Sequence, residues 1–256
     1  MESVAAIRST LSEAARRRML AVRSEPMLYA RWDRAVFIHY AADAATLQRD
    51  VPFALDLHDG RAYVSIVAFT LSRMRPRIGG RIGEWLFKPI ATHEFLNIRT
   101  YVRHRGEPGI YFLAEWLSNP LSVRLGPRTF GLPYRFGRLV YQNAPSGRGL
   151  RGFVDAPEGR LAYEGKVSGS DFAASDPDSF PEFLLERYTA FTQRRTRARF
   201  FRVWHAPWEH APAEIEVTAD TLLASTGPWW KTTEYIGANY SPGAEVWMGR
   251  PHRIRV

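Results

Sequence analysis

Residues 95–118, FLNIRTYVRHRGEPGIYFLAEWLS, decide how this chain is read. They divide into two strand-length runs, FLNIRTYVRH and IYFLAEWLS, joined by RGEPG. In an extended chain alternate side chains point to opposite faces. In the first run Leu96, Ile98, Thr100 and Val102 share one face, and Phe95, Asn97, Arg99, Tyr101 and Arg103 share the other. The first face is apolar. The second is polar yet rich in aromatic rings, which a merely solvated face does not need, so it is a candidate cavity wall. In the second run Glu115 is opposite in parity to Phe112, Ala114 and Trp116.

Working outward, RAVFIHY (residues 34–40) reads as a strand, and Asp43 caps a short helix, AATLQRD, that Val51-Pro52 stops. LDLHDGRAYVSIVAFTL reads as a hairpin turning at Asp59-Gly60, and its second arm, Ala62 to Leu71, is apolar enough on both faces for a central strand. Residues 73–92, with Gly79, Gly80, Gly83 and two prolines, read as an irregular crossing loop. LVYQNAPSGRGLRGFVDAPEGRLAYEGKVSGS is further strand with Gly-rich turns. DSFPEFLLERYTAFTQ carries a capping box at Ser179 and Glu182 and an apolar stripe at Phe180, Phe183, Leu184, Tyr188 and Phe191, which predicts a helix over Ser179–Gln193. RARFFRVWHAP, EIEVTADTLL and GAEVWMG return to strand. Residues 2–20 read as a helix with Ile7, Leu11, Ala14 and Ala15 on one stripe, part of an appended arm over 1–27. Residues 28–256 carry no linker and no repeat and read as a single domain. The expected class is α+β, mainly β: a strongly curved antiparallel sheet or partly closed barrel enclosing a pocket, with a few packed helices.

Composition narrows the function. The 256 residues include no cysteine, which removes disulfides, thiolate nucleophiles and cysteine-ligated metals. The N-terminus lacks the apolar core of a signal peptide, and no stretch approaches the ~20 apolar residues of a membrane span. A cytoplasmic protein with no membrane partner is therefore expected. The formal charge of +9 is almost all arginine, since only Lys88, Lys166 and Lys231 are lysines. The arginines are dense only at Arg16–Arg18 and Arg194–Arg199, so specific nucleic-acid binding is not expected. No HExxH, Gly-rich nucleotide loop or GxSxG elbow occurs, and the histidines are scattered; neither metal nor cofactor is implied.

The candidate chemistry lies in polar groups on strand faces. Arg99, Tyr101 and Asn97 share a face; Glu115 lies on the next strand; Arg128 precedes TFGLPYR; Glu186, Arg187 and Tyr188 follow the capping box. Buried charges need partners, so Arg99–Glu115 and Arg187–Glu186 are the expected pairs if these groups form a structural network. His205, between a strand and Ala206-Pro207-Trp208, is either a capped turn residue or a proton carrier at a pocket rim, with Trp208 available to stack on a ligand. In FGLPYRFGRLVY (130–141), Pro133 fixes the chain before Tyr134 and Arg135, whose side chains then point to opposite faces.

Five ordered segments, RWDRAVFIHY, FLNIRTYVRHRGEPGIYFLAEWLSN, GPRTFGLPYRFGRLVY, FLLERYTAFTQ and VWHAPWEHAPAEI, together resemble the YqjF-like family of uncharacterised bacterial proteins, over roughly residues 28–250. That family is similar in fold to acetoacetate decarboxylase, which implies a curved sheet closing over a pocket. The decarboxylase works through a Schiff-base lysine in a GFPKK-like segment; the similar segment here, GLPYR, has Tyr134 and Arg135 in the two lysine places. Neither forms a Schiff base. Phe95 stands where the resemblance places a pocket glutamate, with Glu94 displaced onto the opposite face. The expected function is binding of a small organic anion, a carboxylate or phenol. Arg99, Arg128 or Arg135 would grip it, with Tyr101 and Tyr134 donating. Alternatives are a proton-transfer enzyme using Tyr134 or His205, and a protein–protein module. A homo-oligomer is compatible with each.

Overall fold

The computed structural model describes residues 10–143, 148–169 and 171–255. Ile7 of the N-terminal stripe and Ser170 lie outside them. Fourteen described strands form one sheet. Its central strands are β1 (Leu28–Ala42), β3 (Ala62–Pro76), β4 (His93–His104) and β5 (Glu107–Leu117). The two-residue β2 (Ala54–Leu55) adds to β4, and β6 (Tyr134–Phe136) to β5. A meander of β7 (Arg138–Asn143), β8 (Gly149–Ala156), β9 (Gly159–Val167) and β12 (Ala211–Ala219) joins through β13 (Glu234–Met248). On the other flank lie β10 (Thr189–Arg194), β11 (Arg197–His205) and β14 (His252–Ile254). Pairing is antiparallel except for β10 and β6, which run parallel to β5.

The curvature closes the sheet. The end of β13 pairs with β1, as in Leu28↔Met248, and also with β11, as in Val203↔Met248. A ring therefore runs β11–β10–β5–β4–β3–β1–β13 and back to β11. Closing a sheet on itself removes edges and gives it two distinct faces. The ring's interior holds one apolar cluster, including Phe37, Val67, Phe69, Phe95, Phe112, Phe201 and Val246. The outer face of β1, β3, β4 and β5 packs a second cluster, including Ile38, Ile66, Ile98 and Trp116, beneath β7, β8, β9 and β12. The alternation read in β4 is this division: Leu96, Ile98 and Val102 face outward, and Phe95 and Tyr101 inward.

One irregularity re-aims a side chain. Ile98 pairs with Ala114 but Arg99 pairs with Phe112, so Leu113 is an extra residue in β5. Such a bulge reverses which face the following residues present. Phe112 before it and Leu117 after it both face the ring interior, and Ala114 and Trp116 face out. The bulge is why Glu115 shares a chamber with Phe112 despite its opposite parity.

The helices are α1 (Thr10–Leu20), α2 (Ala44–Gln48), α3 (Gly80–Phe87), α4 (Pro120–Thr129), α5 (Phe180–Leu185) and α6 (Thr221–Ala224). Helix α1 lies on the sheet: Ser12, Ala15 and Met19 are buried, and Ser12 Oγ donates to the His205 carbonyl at 2.7 Å. Asp43 caps α2, accepting from Thr46 N at 2.8 Å.

Three local expectations need correcting. Asp59 and Gly60 do turn the chain, with positive φ at both and a His58–Arg61 bridge, but the preceding arm pairs with β4 rather than β3. Residues 73–92 are not a loop: β3 continues to Pro76 and α3 follows, running into a 3-10 turn, Lys88–Ile90. The helix expected over Ser179–Gln193 ends at Leu185. Its cap forms, with Glu182 N donating to Ser179 Oγ at 3.3 Å, while TAFTQ goes into β10 because β5 and β11 offer it ladder partners on both sides.

Candidate functional site

The ring interior has two ends, and β4 contributes to both. Toward α4 it presents Phe95 and Asn97; toward α5 it presents Arg99 and Tyr101. At the α4 end lies a cavity of about 330 Å³, lined by β1, β3, β4, β5, β6, β11 and β13 and capped by α4. Its walls are mostly apolar: Phe69 and Phe95 stack at 5.2 Å, and Tyr134 meets Phe95 edge-on at 5.5 Å. No arginine or lysine is among the described residues lining it.

Strand register sets a polar row into this wall. Asn97 pairs with Glu115, and Glu115 with Tyr134, so the three side chains lie side by side across β4, β5 and β6. Asn97 Oδ1 and Glu115 Oε2 are buried without a hydrogen-bond partner in the protein. Trp32 Nε1, Ser122 Oγ and both ring nitrogens of His93, also in the wall, are in the same state. Buried polar atoms in folded proteins are normally satisfied, and leaving one unpaired costs about 1–3 kcal/mol. Of the thirteen such atoms among the described residues, six belong to residues that line this cavity.

Burial also fixes the charge state. It pushes the Glu115 carboxyl well above the usual carboxylate range. Burial and then the neighbouring Glu115 push the Tyr134 phenol well above its ordinary value. Burial lowers His93 to about 4, against a lesser opposing effect of the Ile90 backbone. At neutral pH the wall presents an uncharged phenol and an uncharged imidazole beside a carboxyl whose neutral form burial favours.

Helix α4 is shaped to this arrangement. Asn119 caps it, accepting from Ser122 N at 3.0 Å, which sets Ser122 and Gly126 against the cavity one turn apart. A Cβ at Gly126 would lie 2.1 Å from Cε2 of Tyr134. Only glycine lets the ring lie there.

At the α5 end most of the polar groups are paired, although Arg99 Nε is buried without a partner. Tyr101 donates to the Leu184 carbonyl at 2.9 Å and lies 2.5 Å from Ser65 Oγ. Ser65 contacts His39 Nδ1 at 2.7 Å, and His39 Nε2 reaches Asn239 Oδ1 at 3.2 Å. Burial, and secondarily the Arg99 charge, lowers His39 to about 3. Arg99 Nη2 donates to the Leu184 carbonyl at 3.1 Å, and its guanidinium lies over the Phe37 ring. Arg187 bonds Asp56 Oδ2 at 2.8 Å, and Arg103 holds the other oxygen of the same carboxylate. Glu186 accepts from Trp208 N at 2.8 Å and from the Tyr188 hydroxyl.

The sequence candidates thus separate. Asn97, Glu115 and Tyr134 line the cavity. Arg99, Tyr101, Glu186, Arg187, Tyr188, His205 and Trp208 belong to the network end. The expected Arg99–Glu115 and Arg187–Glu186 pairs do not form; Arg187 pairs with Asp56, and Glu115 has no cationic partner among the described residues. His205 is not at a pocket rim: it is buried, stacks on Tyr188 at 4.7 Å, and its Nδ1 bonds the Ala206 carbonyl. Trp208 is buried against Phe37 and Trp32. Arg128 is exposed on α4, donating to the Arg124 carbonyl, and grips nothing in the cavity. Arg135 lies on the other face of β6, over Trp116 and 3.7 Å from Glu158. His93, Ser122 and Trp32 were not among the candidates. Ser122 had a readable signal, the Asn119 cap that places it one turn above Gly126.

The chain is similar to known proteins in sequence and in fold. The family model DUF2071, described as an uncharacterized conserved protein, matches residues 29–244, and the chain belongs to that family. It is 30% identical over 201 residues to the uncharacterized protein YqjF of Bacillus subtilis (strain 168), covering 77% of this chain and 80% of that one. The fold is acetoacetate decarboxylase-like. An acetoacetate decarboxylase-like enzyme from Sphingomonas wittichii RW1 superposes with a TM-score of 0.62 at 14% identity, covering 90% of this chain and 94% of that one. Acetoacetate decarboxylase from Legionella pneumophila gives 0.62 at 12%, covering 88% and 86%. The enduracididine biosynthesis enzyme MppR, complexed with the condensation product of pyruvate and imidazole 4-carboxaldehyde, gives 0.61 at 13%, covering 88% of each.

Proposed function

We propose that this protein binds a small, mainly apolar organic molecule in the α4-end cavity, with one uncharged hydrogen-bonding head against Asn97, Glu115 and Tyr134. The observation that carries the reading is the clustering of unpaired buried polar atoms in residues that line one apolar chamber. Pockets of this kind take orientation from a few polar groups and affinity from apolar area. With no cation in the wall, a phenol, a carboxamide or a carboxylic acid bound in its protonated form suits the site better than a carboxylate ion. Covalent amine chemistry has no support here: Lys88, Lys166 and Lys231 are all exposed, and none lines the cavity. A second reading, a proton-transfer enzyme, rests on the raised pKa of Glu115 beside Tyr134, the environment of a general acid.

A thermal-shift screen of small phenols, carboxamides and carboxylic acids tests this. Hits should stabilise the wild type and not Asn97→Leu, and acids should bind more tightly as pH falls toward 5. Borohydride with acetoacetate or pyruvate should leave no adduct. A covalent adduct on any of the three lysines would overturn the reading.

A further inference from the structure

Helix α3 is amphipathic the wrong way round for a folded core. Ile82, Trp85 and Leu86, at helical spacing, point outward, with Ile82 and Trp85 73% and 71% exposed. Ile78 just before the helix is 74% exposed. The inner side is Gly83, against Pro76, and Phe87, which reaches the cavity wall. Glycine supports this pose: Gly79 has φ of 111°, and a Cβ there would lie 3.1 Å from Gly83 Cα. Asn119 ties α4 to the turn after α3 through the Pro89 carbonyl at 2.7 Å, and α4 adds exposed Leu121 and Leu125. So many exposed large apolar side chains on two linked segments mark an interaction site.

The charge around it is one-sided. Arg81 on α3, Lys88 just after it, Arg124 and Arg128 on α4, and Arg73 near the end of β3 are all exposed. Glu84, the acid on α3, lies 3.8 Å from Arg75. A two-fold contact with a second copy would face these cations with themselves. An anionic lipid surface complements them, and a tryptophan among aliphatic side chains ringed by arginine is the composition that inserts at a headgroup boundary.

We propose that the α3–α4 face docks this protein on anionic lipid bilayers, with Ile78, Ile82, Trp85 and Leu86 entering the interface and the surrounding arginines meeting the headgroups. The protein lies on the bilayer: no helix among the described residues is long and apolar enough to cross it. Leu125 belongs both to this face and to the cavity wall, so docking brings the cavity beside the lipid. The docking face itself does not depend on what the cavity holds.

Vesicle co-sedimentation tests the proposal with the full chain. Vesicles of phosphatidylcholine with a third phosphatidylglycerol should bind at least about tenfold more tightly than pure phosphatidylcholine, with the difference shrinking in high salt. Ile82→Glu/Trp85→Glu and, separately, Arg81→Glu/Lys88→Glu should each remove most of the binding while melting as wild type does. The proposal fails if anionic vesicles bind no better than neutral ones, or if both double variants bind like wild type. It also fails if sedimentation shows a dimer that Ile82→Glu/Trp85→Glu dissolves while wild type ignores vesicles, in which case the face is a self-interface.

Discussion

Asn97 and Arg99 are two residues apart on one strand face, yet they belong to different physical worlds. Around Arg99, at the α5 end, polar side chains hand hydrogen bonds from one to the next, from Leu184 through Tyr101, Ser65 and His39 to Asn239. Around Asn97, at the α4 end, several lie without protein partners in residues that line an apolar chamber. A satisfied network specifies and holds a fold; unsatisfied buried groups weaken it. The α5 end therefore reads as structure, and the α4 end as a site whose groups are held for something else.

The largest effect should come from breaking the paired end. Arg187→Met leaves Asp56 buried with Arg103 alone, and loss of one partner of a buried pair typically costs about 3 kcal/mol or more. Chemical denaturation should show that loss, while ligands of the cavity still bind below the melting temperature. If Arg187→Met unfolds no more easily but abolishes binding, the two ends have been assigned the wrong way round.

Next comes Gly126→Ala. In an ordinary helix this change stabilises by roughly 0.5–1 kcal/mol. Here the added methyl meets the Tyr134 ring, so a loss of about 1–3 kcal/mol and weakened binding are expected. A stabilised variant with full binding would show that Tyr134 is not packed on α4.

What the sequence shows of the two ends depends on whether a feature is set locally or by distant strands. The alternation in residues 95–103 is local, so the two faces of β4 were readable, as were the caps at Asp43 and Ser179. The apolar stripe after Ser179 runs on through TAFTQ, so the sequence pattern predicts a longer helix, and only the distant β5 and β11 explain why that segment is extended. Helix α3 was missed because its apolar residues face outward among glycines, the reverse of the usual signal. Asn97, Glu115 and Tyr134 were nameable by position. Their separation from Arg99 and Tyr101 was not, since all share a face and differ only in whether α4 or α5 covers them. The bulge at Leu113, which turns Glu115 inward, leaves no mark in the sequence that parity can find.

The smallest effect belongs to Tyr134→Phe. It keeps the ring against Phe95 and removes one hydroxyl, so stability should change by less than about 1 kcal/mol, whereas binding should weaken several-fold, the worth of one hydrogen bond. Calorimetric titration of both proteins with the same phenol separates the two quantities. Equal affinities would remove Tyr134 from the row.

The central claim, that the α4 end keeps for binding an unpaired acid whose neutral form burial favours, is tested most directly by thermal unfolding of Glu115→Gln beside wild type across pH. The native carboxyl titrates well above its ordinary range, so between the unfolded value near 4.3 and the raised native value the folded state binds the extra proton. Wild-type stability must therefore lose ground as pH rises through that window. Glu115→Gln, which cannot ionise, should melt higher than wild type at pH 7–8, with the advantage vanishing as pH falls to about 4. The same variant should bind cavity ligands more weakly. A variant that melts lower than wild type at neutral pH, by a margin that shrinks in acid, would mean that Glu115 is an ionised and paired structural carboxylate, and the account would be contradicted.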